Sequence, residues 1–141
     1  MPTWIFYALL SAVFAGLTAV IAKFGLKNVS GDTGLAVRTT FVFFLVWLNA
    51  ISFRHIRDFG QLTLKDILFL GISGLTTTLS WIYYYRAIKL GDVSVVAVID
   101  KASIVITILL SFWLLKEPFT WRIAVAAALI VSGLLVLTVK W

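Results

Sequence analysis

The chain has 141 residues, of which 62% are hydrophobic and 13% charged, with a net charge of +6. A soluble domain holds about 25% charged and 45–50% apolar residues, and disordered chains are poor in aromatics, which make up 15% here. A water-soluble globule, a linker and a disordered tail are excluded, and an integral membrane protein remains.

A helix of about 20 apolar residues crosses a bilayer core, and five stretches have that length. The first runs from Trp4 to about Ala22 and ends at Lys23 and Lys27. It has no basic stretch ahead of it and exceeds the roughly 7–15 apolar residues of a secretory signal, so it is expected to remain as a membrane helix. The second, about 35–53, ends at Arg54, His55 and Arg57. The third, about 66–88, is closed by Lys89 and Gly91; the fourth, 93–115, by Lys116, Glu117 and Pro118; the fifth, 121–139, by Lys140 and Trp141. Gly31, Gly34, Gly60, Gly91 and Pro118 punctuate the breaks. The longest connection, 54–64, is too short for a soluble domain, so residues 1–141 form a single membrane domain with its chemistry in or between the helices. Trp4, Trp121 and Trp141 are expected to anchor span ends at the interface. The fold class is all-α, an integral membrane protein of five transmembrane helices.

The basic residues sit mostly at span ends, where membrane proteins keep them, so the positive charge does not point to nucleic acid. There is no cysteine and one histidine, His55, in a connection. Neither a metal site nor a cofactor is expected from that supply. No Ser/His/Asp set, acid pair or phosphate loop is present, so the chain is not expected to be an enzyme.

Orientation follows the excess of Lys and Arg on the cytoplasmic side. The side of the N-terminus receives Arg54, Arg57, Lys65, Lys116 and Arg122; the opposite side receives Lys23, Lys27, Arg86, Lys89 and Lys140. This five-against-five balance gives almost no orientation bias. Arg38, inside the second span nearer the opposite side, would make that side six. Copies are then expected to insert both ways, a dual topology in which two opposed copies form the inverted-repeat arrangement found in many transporters; a fixed topology set by the first helix or the N-terminal amine is the alternative.

Ionisable residues within spans are costly and need a partner or a function. Asp100 and Lys101 lie about eight residues into the fourth span, roughly 12 Å deep at 1.5 Å per residue, near the midplane of a core about 30 Å thick. Arg38 enters the second span from the same side. Asp100 and Lys101 are either a structural ion pair or the place where a proton or an anionic or zwitterionic solute is bound. Lys23 and Arg86 are expected to snorkel.

In the third span Ser73, Thr77, Trp81 and Tyr84 share one face. Hydroxyl and aromatic groups together suit a cavity for a small organic molecule, and aromatic faces also attract cations. Packing and an interfacial belt at Tyr83–Tyr85 are the alternatives. In the fourth span Ser103, Thr107 and Ser111 repeat every four residues beside Asp100 and Lys101. The candidate solute- or ion-binding set is therefore Asp100, Lys101, Arg38, Trp81, Thr77, Tyr84, Ser103 and Thr107. Small residues at Ala8, Ala12 and Gly16, and at Ala124, Ala128 and Ser132, are placed for close helix packing.

The run Trp81-Ile82-Tyr83-Tyr84-Tyr85-Arg86-Ala87-Ile88-Lys89-Leu90-Gly91-Asp92-Val93-Ser94 resembles the third-to-fourth helix junction of EamA domains in the drug/metabolite transporter superfamily. The run from Val98 to Val105, with Ile99-Asp100-Lys101 at its heart, and Leu114-Leu115-Lys116-Glu117-Pro118 are similar too, and the likeness spans the whole chain. It resembles the short single-domain members. That resemblance implies a half-transporter that exports a small metabolite or drug-like solute by alternating access, pairs as a homodimer of ten helices and sits in membrane lipid, in a bacterial or archaeal cell membrane. The related small multidrug resistance proteins keep an acid in the first helix; this first helix has none, so either Asp100 takes that part or proton coupling is absent. A flippase for an anionic lipid-linked substrate and a non-transporting membrane subunit are the competing expectations.

Overall fold

The computed structural model describes residues 2–138, and among them the regular elements are all helical. Val139, Lys140 and Trp141, at the expected end of the fifth span, lie outside the described residues. The chain divides into two compact units, Met1–Leu90 and Gly91–Trp141.

The first unit holds α1 (Thr3–Gly25), α2 (Gly31–Ser52), a short 3₁₀ helix (His55–Gln61) and α3 (Leu64–Leu90). All three α-helices are long and apolar enough to cross a membrane. The starts of α2 and α3 follow capping chemistry more closely than hydropathy. Ser30 Oγ accepts from Thr33 N at 3.1 Å, so α2 begins at Gly31, ahead of the apolar run at Leu35. Thr63 and Asp66 form a capping box: Asp66 Oδ2 accepts from Thr63 N at 3.0 Å, and Thr63 Oγ1 accepts from Asp66 N at 3.3 Å. The connection expected at 54–64 is largely the 3₁₀ helix, with the Phe59 ring stacked on Trp47 at 5.7 Å between centroids.

The buried side chains gather at one end of this unit. Ala19 and Leu26 come from the end of α1, Leu35 from the start of α2, and Tyr85 and Ile88 from the end of α3. Two glycines let the helices meet there. A Cβ on Gly31 would lie 2.8 Å from the Tyr85 carbonyl oxygen, and one on Gly34 would overlap the Leu26 side chain. Away from this end, apolar side chains such as Phe41, Phe44, Phe69 and Leu70 stay exposed, as expected of surfaces that face lipid tails or another protein.

The second unit holds α4 (Val93–Asp100), α5 (Ser103–Leu114) and α6 (Trp121–Thr138). The stretch Val93–Leu114 is long and apolar enough to span, whereas α6 is apolar but shorter, at Trp121–Leu137. The fourth span is thus two helices where one was expected. Around Lys101 the backbone tightens to i→i−3 bonds: Lys101 N to Val98 O, Ala102 N to Ile99 O, Ile104 N to Lys101 O and Val105 N to Ala102 O, at 2.9–3.1 Å. Such a 3₁₀ stretch within a helix marks a local change in winding. The α6 start is capped by Thr120, whose Oγ1 accepts from Ile123 N at 3.4 Å. Along α6 the partly covered positions are Ala124, Ala127, Ile130 and Leu134, while Ala128 and Ser132 are exposed. Ala8, Ala12 and Gly16 on α1 are exposed as well.

Lys116 follows the end of α5 with φ 56°, in the left-handed region. A residue with a Cβ is strained there, and glycine is not. Lys116→Gly is therefore expected to raise the unfolding free energy by about 0.5–1 kcal/mol, less the entropy glycine adds to the unfolded chain. Thermal unfolding of the detergent-solubilised protein checks this, and an unchanged or lower midpoint would refute it.

Candidate functional site

A cavity of about 520 Å³ opens in the first unit beside its packed end. Its walls are mostly apolar, including Ile21, Leu26, Val29 and Val37, and two side chains with strong polar groups reach it, Arg38 and Tyr85. Helix geometry explains how they come together. Gly31, Gly34, Leu35 and Arg38 recur at three- and four-residue spacing along α2, so the face that packs on α3 carries Arg38 at its far edge. On α3, Trp81, Tyr85 and Ile88 share the facing stripe.

The Arg38 guanidinium carbon lies 4.4 Å from the centre of the Trp81 ring and 5.9 Å from that of Tyr85. A cation over an aromatic face gains about 0.5–2 kcal/mol, more where water is excluded. Arg38 Nη1 and Tyr85 Oη are both buried, and neither has a hydrogen-bond partner among the described residues. The hydroxyls around them are already engaged. Thr18 Oγ1 donates to Phe14 O at 2.7 Å, and Ser30 Oγ and Thr33 Oγ1 share a bond at 2.9 Å.

The floor of the unit is held by charged groups. Lys23 Nζ, near the end of α1, donates to Ile88 O on α3 at 2.6 Å. Lys89 Nζ, at the end of α3, donates to Leu26 O at 2.6 Å and Lys27 O at 3.0 Å. Each helix thus lends a lysine to the carbonyl-rich end of the other, where a cation is favoured. Arg86 adds a two-point pair with Asp32, with N–O distances of 2.8 and 2.9 Å. Lys23 and Arg86, expected to snorkel, are tied to an α3 carbonyl and an α2 carboxylate. A smaller recess of about 280 Å³ lies among Lys23, Phe24, Leu26, Lys27 and Lys89.

In the second unit Asp100 and Lys101 sit where α4 gives way to α5, with Lys101 Nζ 3.5 Å from Asp100 Oδ2. The tightened turn brings Ser103 Oγ to the Asp100 carbonyl at 2.7 Å, and Thr107 Oγ1 donates to Ser103 O at 3.0 Å. Thr107 also lines a cavity of about 240 Å³ with Ser111, Phe112, Glu117 and Phe119.

Of the candidates chosen from sequence, Arg38 and Trp81 are brought together in the first unit, and Asp100, Lys101, Ser103 and Thr107 adjoin in the second. Thr77 is exposed and its hydroxyl donates to Ser73 O at 2.8 Å. Tyr84 is half-buried, and it is its neighbour Tyr85 that lines the cavity. Continuing the i, i+4 stripe from Trp81 selects Tyr85, whereas the i+3 choice selects Tyr84. Asp32 was also missed; an acid in the first turn of a capped helix is a signal that capping analysis detects.

The model of a family described as the EamA-like transporter family matches residues 2–139. The chain is 36% identical over 137 residues to a Sinorhizobium sp. protein described as "Uncharacterized transporter in cobO 3'region", covering 97% of each chain. No solved structure matches it.

Proposed function

Since the chain belongs to the EamA-like transporter family and is a multi-pass membrane transporter, we propose that it exports a small metabolite or drug-like solute across the cell membrane. It works by alternating access as a homodimer of five-span copies. The observation that carries this reading is the 520 Å³ cavity of the first unit. Apolar walls with a few convergent polar groups on rigid helices are the usual make-up of a small-molecule site. The interruption at Asp100–Lys101 supports the same reading, because transporters place ion and substrate sites at discontinuous helices. Asp100, Lys101, Ser103 and Thr107 make up the part of the machinery contributed by the second unit. The balance of basic residues between the two sides favours antiparallel pairing, and an odd number of spans makes opposed copies inverted repeats.

The test is flux in proteoliposomes containing the purified protein. A panel of radiolabelled small solutes should include at least one that accumulates above protein-free vesicles. Asp100→Asn is expected to lower that flux about tenfold or more, given what a charge kept at such depth costs to retain. Thr40→Val, whose lost hydroxyl donates only to Ala36 O, should leave flux within about twofold, since it removes a local backbone contact alone. A protein that moves no member of the panel and co-purifies with a fixed partner would be a non-transporting subunit instead. The lysine-lined recess at the ends of α1 and α3 is the feature that favours the flippase reading, since basic recesses at helix ends suit anionic headgroups.

A further inference from the structure

The cavity beside Arg38 has a chemical preference, and this inference rests on the transport reading above. We propose that its solute is a water-soluble organic carboxylate with an apolar body, held at its charged end by Arg38 and Tyr85. Three observations converge on that class. First, Arg38 Nη1 and Tyr85 Oη are buried without hydrogen-bond partners, and Tyr85 is only 4% exposed. Both residues line the one cavity; their unpaired donors, closed off from it in this conformation, are costly as they stand and are satisfied by an acceptor group once the side chains turn toward the cavity. Second, among the described residues no carboxylate of this unit is within salt-bridge distance of Arg38; Asp32 is engaged with Arg86. The guanidinium therefore brings an uncompensated positive charge to an apolar wall, and a planar carboxylate fits it best. Third, the face of Tyr85 on the cavity wall, which would otherwise grip a cationic drug, already has the protein's own Arg38 guanidinium 5.9 Å from its centre. A second cation there meets like-charge repulsion in place of a π-face. The remaining walls, Ile21, Leu26, Val29 and Val37, take the apolar body.

The experiment compares three probes that share one body: 4-phenylbutyrate, 4-phenylbutylamine and 4-phenylbutanamide. Binding to the full chain in detergent is followed by quenching of tryptophan fluorescence and by thermal shift. The carboxylate is expected to bind about tenfold or more tightly than the amine and the amide, the scale of a hydrogen bond to a charged group. Arg38→Gln should erase that preference. Tyr85→Phe, which removes one oxygen and keeps the ring, should weaken carboxylate binding by about tenfold on the same scale; it serves if the Arg38 variant fails to fold. Equal or tighter binding of the amine or amide would overturn the proposal, as would no binding of any probe. Displacement of the carboxylate by phosphatidylglycerol but not by phosphatidylcholine micelles would assign the site to a lipid phosphate and overturn it too. Binding is read here without flux. A carboxylate preference in a protein that transports nothing would therefore sink the transport reading alone, and transport of the amine unaffected by Arg38→Gln would sink this inference alone.

Discussion

Replacing Gly31 with valine is expected to disrupt the packed end of the first unit. Any Cβ at that position falls 2.8 Å from the carbonyl oxygen of Tyr85 and 2.9 Å from its carbonyl carbon. Both are backbone atoms in the interior of α3, so no side-chain rotation relieves the overlap. Either α2 moves off α3 or α3 distorts. Overpacking costs about 1–3 kcal/mol where neighbours can adjust; with backbone on the far side, Gly31→Ala should fall at the top of that range and Gly31→Val beyond it. Displacing α2 also carries Arg38 away from Trp81 on α3, because Gly31 and Arg38 are on one face of one rigid helix. Thermal unfolding followed by tryptophan emission reads both consequences. The expected result is a large drop in midpoint for valine, with an altered emission maximum in the folded baseline. A wild-type midpoint for Gly31→Val would show that the helices do not meet there.

A similarly large effect is expected two residues before the end of α3. Ile88 is 0% exposed and Leu90 is 88% exposed. They are alike in size and composition and occupy the same helix. Ile88→Ala removes three carbons from a filled space at the junction of α1, α2 and α3, and should cost about 2–5 kcal/mol. Leu90→Ala leaves no cavity and should change stability by no more than about 0.5 kcal/mol, as surface substitutions do. Within lipid or detergent the difference is chiefly one of packing contacts, because hydrocarbon surroundings are as apolar as the side chain itself. The pair is best measured as unfolding midpoints in one detergent. Equal midpoints would place the core of the unit elsewhere.

Much of the helical layout is legible in the sequence, because the signal for a membrane helix is bulk apolarity over about 20 residues. That signal locates the first three long helices, and it does not fix where α2 and α3 begin. The α2 start at Gly31 is fixed by Ser30 and Thr33 and the α3 start by Thr63 and Asp66, through side-chain bonds that hydropathy averages away. It is equally blind to the change of winding at Lys101. Val, Ile and Leu on both sides keep the stretch apolar, and the turn depends on which carbonyl each amide selects.

For the site, the cost of an intramembrane charge singles out Arg38, and the aromatic stripe singles out Trp81. Their pairing across two helices is set by the glycine approach at Gly31, which periodicity alone does not reveal. The lysines were the hardest to place. A lysine at a helix end has two solutions, reaching outward to the interface or sideways to a neighbour's carbonyls. Only the mutual position of α1 and α3 decides between them, and here it selects the second.

The exchange of lysines between α1 and α3 has a mechanical side. Lys23 fastens α1 to the end of α3, and Lys89 fastens α3 to the end of α1. Two ties of opposite sense resist sliding in both directions, so the two rods share a pivot at that end. Beyond it α1 runs from Ala22 back to its start at Thr3, about 30 Å at 1.5 Å per residue. A lever of that length multiplies small rotations: a tilt of about 5° about the pivot would move the distant tip by roughly 3 Å. Travel is therefore greatest at the end far from the lysines and least beside them.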